Sequence, residues 1–195
     1  MLPVAVIASR AWPAIAGAAL SAAGLLLAGW LAFGTASYVA FLELIPQISK
    51  WMAQDKFAWA EFASVFANLR TIGVAPSVAM AVHLIVAAGA AVLCWAAWRG
   101  AWEQRVPILC AASLLGSPYL QNYDTLLMLA PIGWFLTRQP RAALVLYLLC
   151  LLPVAMQIGW WVAPDAVPLA AVVSLVLLWR ERVGRNYVLT PAAAE

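Results

Sequence analysis

Gly73–Trp98 reads GVAPSVAMAVHLIVAAGAAVLCWAAW, a run whose only titrating side chain, apart from the weakly acidic thiol of Cys94, is His83. A helix rises ~1.5 Å per residue, so this run is long enough to cross the ~30 Å hydrocarbon core of a bilayer. The rest of the chain has the same character. Of its 195 residues, 66% are apolar and 10% charged, whereas soluble domains approach about a quarter charged. A soluble fold of this size has too little interior to hide so much apolar surface. Composition therefore excludes a cytosolic enzyme, a disordered regulator and a free nucleic-acid binder.

Outward from Gly73–Trp98, hydropathy predicts an all-α, polytopic transmembrane bundle forming a single membrane domain over 1–195. It has about six spans, at about 13–33, 73–98, 104–117, 120–137, 142–161 and 166–179. Whether 106–117 crosses or only dips is left open by its length. Six crossings put both termini on one face, together with Arg10, Arg99, Arg105, Arg138, Arg141, Arg180, Arg182 and Arg185. Basic loops stay cytoplasmic, so the reading is a multi-pass protein of the cytoplasmic membrane with both termini inside and the loop 34–72 outside. Tryptophans fall near span ends, Trp98, Trp102 and Trp134 inside and Trp30, Trp51 and Trp59 outside, as aromatic belts do.

Three cysteines, Cys94, Cys110 and Cys150, lie in or beside apolar segments without CxxC spacing, and read as small buried hydrophobes. With one histidine they build no metal tetrad. Basic residues scattered singly over loops give no nucleic-acid face.

The outer loop carries most of the polar chemistry. Over 56–71, Trp59, Phe62, Phe66 and Leu69 form one stripe and Glu61, Ser64, Asn68 and Thr71 the opposite one. This spacing predicts a helix lying in the interface. Arg70 flanks the apolar stripe, where it meets either a bulk headgroup or one specific phosphate, which an arginine grips through two parallel hydrogen bonds. The second polar stretch is Ser117-Pro118-Tyr119-Leu120-Gln121-Asn122-Tyr123-Asp124. Asp124 is either a helix cap favoured by the dipole or an ionisable site residue at the membrane edge, with Tyr119 and Tyr123 able to present hydroxyls to a polyol. His83 reads as a buried hydrogen-bonded group, or as a polar partner if a cavity reaches it.

In order along the chain, Phe33-Gly34, Ala40-Phe41 and Leu44-Ile45-Pro46 are followed by Ser64-Val65-Phe66-Ala67-Asn68-Leu69-Arg70-Thr71-Ile72-Gly73, a Ser-x-Phe-x-x-x-Arg-x-x-Gly pattern. Ser117-Pro118-Tyr119 with Tyr123-Asp124 comes next. This order resembles the C-terminal half of the bacterial DUF2029 glycosyltransferases, the polyprenyl-phosphate-mannose-dependent alpha-mannosyltransferase-like proteins of the GT-C class. The resemblance implies a partial GT-C-like fold. It also implies transfer of a sugar, mannose by analogy, from a polyprenyl-phosphate donor to an acceptor at the outer membrane face, with no further cofactor and no metal. Under it, Arg70 and Lys56 hold the donor phosphate, while Ser64, Asn68, Tyr119, Tyr123 and Asp124 shape the sugar or acceptor pocket. The family's catalytic aspartate lies in an N-terminal half, and none of Glu43, Asp55 or Glu61 matches it. The chain is therefore expected to be inactive alone, as a C-terminal fragment, a split-gene subunit or a truncated reading frame. The expected partners are membrane lipid, the polyprenyl-phosphate sugar and, for a split subunit, a separately encoded N-terminal half. The alternative is a non-catalytic integral-membrane structural or assembly protein, in which Arg70 and Asp124 lie far apart.

Overall fold

The computed structural model describes residues 1–53, 59–158 and 165–189. All its regular elements are helical: α1 Leu2–Ala8, α2 Trp12–Ala53, α3 Val65–Thr71, α4 Pro76–Arg99, α5 Arg105–Gly116, α6 Leu129–Arg138, α7 Pro140–Ile158 and α8 Val167–Leu189. Two 3-10 turns, Trp59–Glu61 and Asn122–Met128, are added. Among the described residues no β-sheet forms; Phe62 and Gln121 make a single antiparallel bridge.

The chain divides into two compact units, Ser9–Ala58 and Met1–Ala8 with Trp59–Glu195. The first is α2 with its flanks. Gly34, at φ 74° and ψ 172°, interrupts this helix, in a backbone conformation that glycine adopts without a Cβ penalty. The chain turns sharply there, so the Tyr38 hydroxyl donates to the Leu26 carbonyl at 2.7 Å, and the Trp30 indole donates to Thr35 Oγ1 at 2.9 Å. Leu20, Leu25 and Phe33 stand exposed on this unit. Apolar surface on that scale calls for lipid or a partner.

The second unit is a helical bundle in which α4 packs on α5, α5 on α6 and α8, and α6 on α7. Its core is built from Ile108, Leu114, Leu115, Met128, Phe135, Leu146 and Leu178, with alanines such as Ala90, Ala97 and Ala111 admitting close helix approach. Sequence punctuation sets its joints. Pro76 opens α4 in the first turn, where its missing N–H costs nothing. Pro118 stops α5 one residue after Ser117. The C-terminus of α3 closes on Gly73 at φ 83°, with Gly73 N–H donating to the Arg70 carbonyl at 3.0 Å and Val74 N–H to the Leu69 carbonyl at 2.9 Å, a Schellman closure.

Six spans are not what forms. Among the described residues, two helices are long and apolar enough to cross a membrane, Trp12–Ile48, broken at Gly34, and Pro76–Arg99. The segment expected at 104–117 is a helix of 12 residues, about 18 Å long. The one expected at 120–137 splits into the 3-10 turn and the 10-residue α6. The apolar run of α8 meets Arg180-Glu181-Arg182, and the end of the 142–161 segment lies outside the described residues. Hydropathy counted apolar stretches, but a single crossing needs ~20 continuous helical residues.

The interfacial helix expected over 56–71 is also replaced. Among the described residues of that stretch, only Val65–Thr71 is α-helical, after the 3-10 turn at Trp59. Trp59, Phe66 and Ser64 are buried while Glu61 is exposed, so the two expected stripes do not separate into a lipid face and a water face. Backbone pairing with the 118–121 strand of chain, which periodicity does not register, pulls the segment into the bundle.

Gly73→Val would force a β-branched residue into the left-handed region, at a cost of about 1–2 kcal/mol. We expect a lower thermal midpoint in detergent for this variant than for Gly89→Ala, whose Cβ would enter open space.

Candidate functional site

The polar residues singled out around Arg70 gather at one end of the second unit through hydrogen bonds between segments remote in sequence. Ser64 caps α3, its Oγ accepting from Ala67 N–H at 3.0 Å, while the same hydroxyl donates to the Pro118 carbonyl at 2.6 Å. Ala63 N–H donates to the Leu120 carbonyl at 2.8 Å. The Ser117–Asp124 stretch is thereby fastened to the start of α3. Ser64 is fully buried, so its part in a pocket is to position that stretch.

Asn68 fastens a third segment. Its Nδ2 donates to the Asp165 carbonyl at 2.6 Å, and its Oδ1 accepts from Asp165 N–H at 2.8 Å. The carboxylate of Asp165 accepts from Val167 N–H through Oδ1 at 2.7 Å, which starts α8. Its other oxygen, Oδ2, is buried without a hydrogen-bond partner, in a residue 6% exposed. Burial pushes the Asp165 carboxyl above the usual carboxylate range, and the Val167 N–H opposes that shift.

Arg70 is held on two sides. Its Nη1 donates to the Val74 carbonyl at 2.5 Å, and its guanidinium lies 5.9 Å from the Trp59 ring centroid. Trp59 meets Phe66 edge-on at 5.4 Å, and Phe66 meets Tyr119 edge-on at 6.1 Å. A run of aromatic contacts thus links Arg70 to the Ser117–Asp124 stretch. Tyr119 and Tyr123 are exposed, and burial of part of the Tyr119 ring raises its hydroxyl pKa, keeping it a neutral donor. Asp124 accepts from Gln121 N–H through Oδ2 at 3.0 Å, which is the cap, and it remains half-buried beside Tyr123.

Two other residues stand apart. Lys56 lies outside the described residues. His83 sits in α4, 1% exposed, with Nδ1 buried and unpartnered. The 430 Å³ cavity of this unit does not open at Arg70; it lies between α4, α5 and α8.

Sequence reasoning missed Trp59 as the rest for Arg70, reading it as a membrane anchor, and missed Asp165. The signal for Asp165 was an acid just before the Val167-Pro168 helix start, but its tie to Asn68 spans nearly half the chain.

At the far end, α4 and α8 carry Arg99, Arg180 and Arg182, and α6 ends at Arg138. Arg182 lies 5.6 Å from the Trp102 ring and Arg138 3.7 Å from that of Trp134. Since α4 has 24 residues, about 36 Å separates this arginine end from Arg70.

The family model that matches the chain is glycosyltransferase family 87, over residues 1–131. Among curated proteins and among solved structures, none matches the chain.

Asn68→Ala would leave the Asp165 N–H and carbonyl unpartnered, with an expected loss of about 1–3 kcal/mol in thermal or denaturant unfolding. The raised Asp165 carboxyl has a defined sign. A group that holds its proton more tightly when folded stabilises below its unfolded pKa, and that contribution disappears as pH rises through the folded value. We therefore expect stability to fall as pH climbs out of the ordinary carboxylate range, and Asp165→Asn to flatten that slope.

Proposed function

The chain belongs to glycosyltransferase family 87, and from that premise we propose that it forms the donor-phosphate side of a transferase. The enzyme moves a sugar, mannose by the resemblance to the DUF2029 proteins, from a polyprenyl phosphate to an acceptor at the outer face of the cytoplasmic membrane.

In such a transfer the acceptor hydroxyl loses its proton to a base, its oxygen bonds to the sugar's anomeric carbon, and the bond from that carbon to the phosphate oxygen breaks. Negative charge develops on the departing lipid phosphate, so a fixed cation there lowers the barrier. The observation that carries the reading is Arg70, oriented by the Val74 carbonyl and the Trp59 ring and linked through Phe66 to Tyr119. A guanidinium held this way reaches the transition state with little reorganisation, and its planar fork suits a phosphate. Lys56 would assist it. Tyr119, Tyr123 and Asp124 present hydroxyls and a carboxylate to the sugar or acceptor, while Ser64 and Asn68 hold their segments in place. In this reading the base comes from a separate N-terminal half.

The charge distribution supports the sidedness. Arginines crowd the end where Arg99, Arg138 and Arg182 lie, and basic residues favour the cytoplasm, which leaves Arg70 and Asp124 outside. The apolar surfaces of α2 and α4 favour a membrane setting. Polyprenyl-phosphate sugar and membrane lipid are then the partners.

Membranes containing the chain and an N-terminal family half, given mannosyl polyprenyl phosphate, should yield mannosylated product. Arg70→Ala should lower the rate about 100-fold, and Arg70→Lys should lower it less. Absence of product with both halves present, or an unaffected Arg70→Ala, would overturn the proposal. For sidedness, Tyr123→Cys should react with an impermeant thiol reagent in intact cells and Glu103→Cys only after lysis; the reverse pattern defeats the outer-face assignment.

A further inference from the structure

The two arms of α2 differ in character. The first, residues 12–33, has no charged side chain, and at ~1.5 Å per residue it is about 33 Å long, enough to cross a bilayer. It ends at Gly34, whose φ of 74° breaks the helix. Polar contacts fix the elbow, the Trp30 indole donating to Thr35 Oγ1 and the Tyr38 hydroxyl to the Leu26 carbonyl. The second arm, residues 35–53, then leaves in a new direction.

Over residues 41–51 of that arm, Glu43, Gln47 and Lys50 recur at spacings of four and three, which places them within about 60° of one another around the helix. Phe41, Leu44, Ile45 and Ile48 fall within about 100° on the other side. The three polar residues are exposed, and so are Phe41, at 63%, and Ile45, at 47%. A helix with one apolar and one polar face, both uncovered, fits a boundary between hydrocarbon and water.

Two residues decide whether this arm crosses the bilayer or lies along it. Glu43 comes nine residues after Gly34, about 14 Å along the helix. In a crossing arm its carboxylate would stand near the middle of the ~30 Å hydrocarbon core, where a charge is costly. Pro46 lies inside the same helix and has no N–H to give to the Leu42 carbonyl. Water at the interface supplies that carbonyl with a donor, and hydrocarbon does not.

We infer that the second arm of α2 is a membrane-surface helix. Phe41, Leu44, Ile45 and Ile48 enter the boundary between acyl chains and headgroups, while Glu43, Gln47 and Lys50 face water and the headgroups. Lipid is the occupant of the apolar face because the arm follows, through the Gly34 elbow, a helix of membrane length, and so begins at the edge of the bilayer. The inference rests on the membrane setting of α2 and on no step of sugar transfer.

The test uses the full chain in vesicles of phosphatidylethanolamine and phosphatidylglycerol, with Phe41→Cys, Glu43→Cys, Leu44→Cys, Ile45→Cys, Gln47→Cys and Lys50→Cys made one at a time. All six positions are exposed, so no substitution removes a packed side chain. A nitroxide on each cysteine is read by its collisions with oxygen, which concentrates in hydrocarbon, and with a nickel chelate, which stays in water. The native cysteines are buried or half-buried, and the wild-type chain treated alike gives the background. Nickel collisions at 43, 47 and 50 should exceed those at 41, 44 and 45 by about tenfold, with oxygen showing the opposite swing. A smooth change along the chain, with 43 and 44 both deepest, would mean that the arm crosses and would overturn the inference. Equal nickel access at all six would place the arm in water and overturn it as well. Loss of both oxygen and nickel collisions at 41, 44 and 45 would put a protein surface there and overturn the lipid assignment. Sugar transfer is not read in this experiment, so each of these failures is distinct from a failure of the Arg70 reading.

Discussion

Hydrogen bonds between non-helical pieces of chain hold the Arg70 end of the bundle together. Ser64 ties the start of α3 to Pro118, Ala63 ties it to Leu120, and the Asn68 amide closes on both backbone groups of Asp165. Each bond gives a partner to a backbone group that lies outside the helices. In a low-dielectric interior such bonds are worth more than in water, and leaving one unmade is correspondingly costly. Three segments far apart in sequence thereby acquire one fixed arrangement, and Arg70 stands on it.

That constraint also gives the Ser-x-Phe-x-x-x-Arg-x-x-Gly pattern a structural reading. Ser64 is the N-cap of α3, Phe66 is the ring that touches both Trp59 and Tyr119, and Gly73 provides the left-handed residue that ends the helix. Three of the four pattern residues build the support on which the fourth, Arg70, is held. A short helix with both ends capped is stable enough to present one cation in one direction, which a longer interfacial helix would have left to the lipid surface.

The two ends of the bundle treat charge differently. At the Arg70 end a single described guanidinium is oriented by a carbonyl and a ring. At the other end arginines lie over the rings of Trp98, Trp102 and Trp134. Cation–π contact lets a guanidinium keep one face against the bundle while its edge stays free to pair, as Arg138 does with Glu181.

Composition and periodicity indicated a helical, strongly apolar chain and the break at Pro118, because a proline acts through local backbone geometry. The fold brings Ser64 and Phe66 against Pro118 and Tyr119, members of the two stretches that motif order singles out. How many segments form membrane-length helices was not, since apolar content does not say whether a stretch stays one continuous α-helix or breaks into a 3-10 turn and a short helix, as 120–137 does. Nor could periodicity reveal that Trp59 and Ser64 turn inward, that Asp165 answers Asn68, or that Arg182 lies over the ring of Trp102. Those pairings depend on which distant segment supplies the missing hydrogen-bond partner, and only the folded chain brings such segments together.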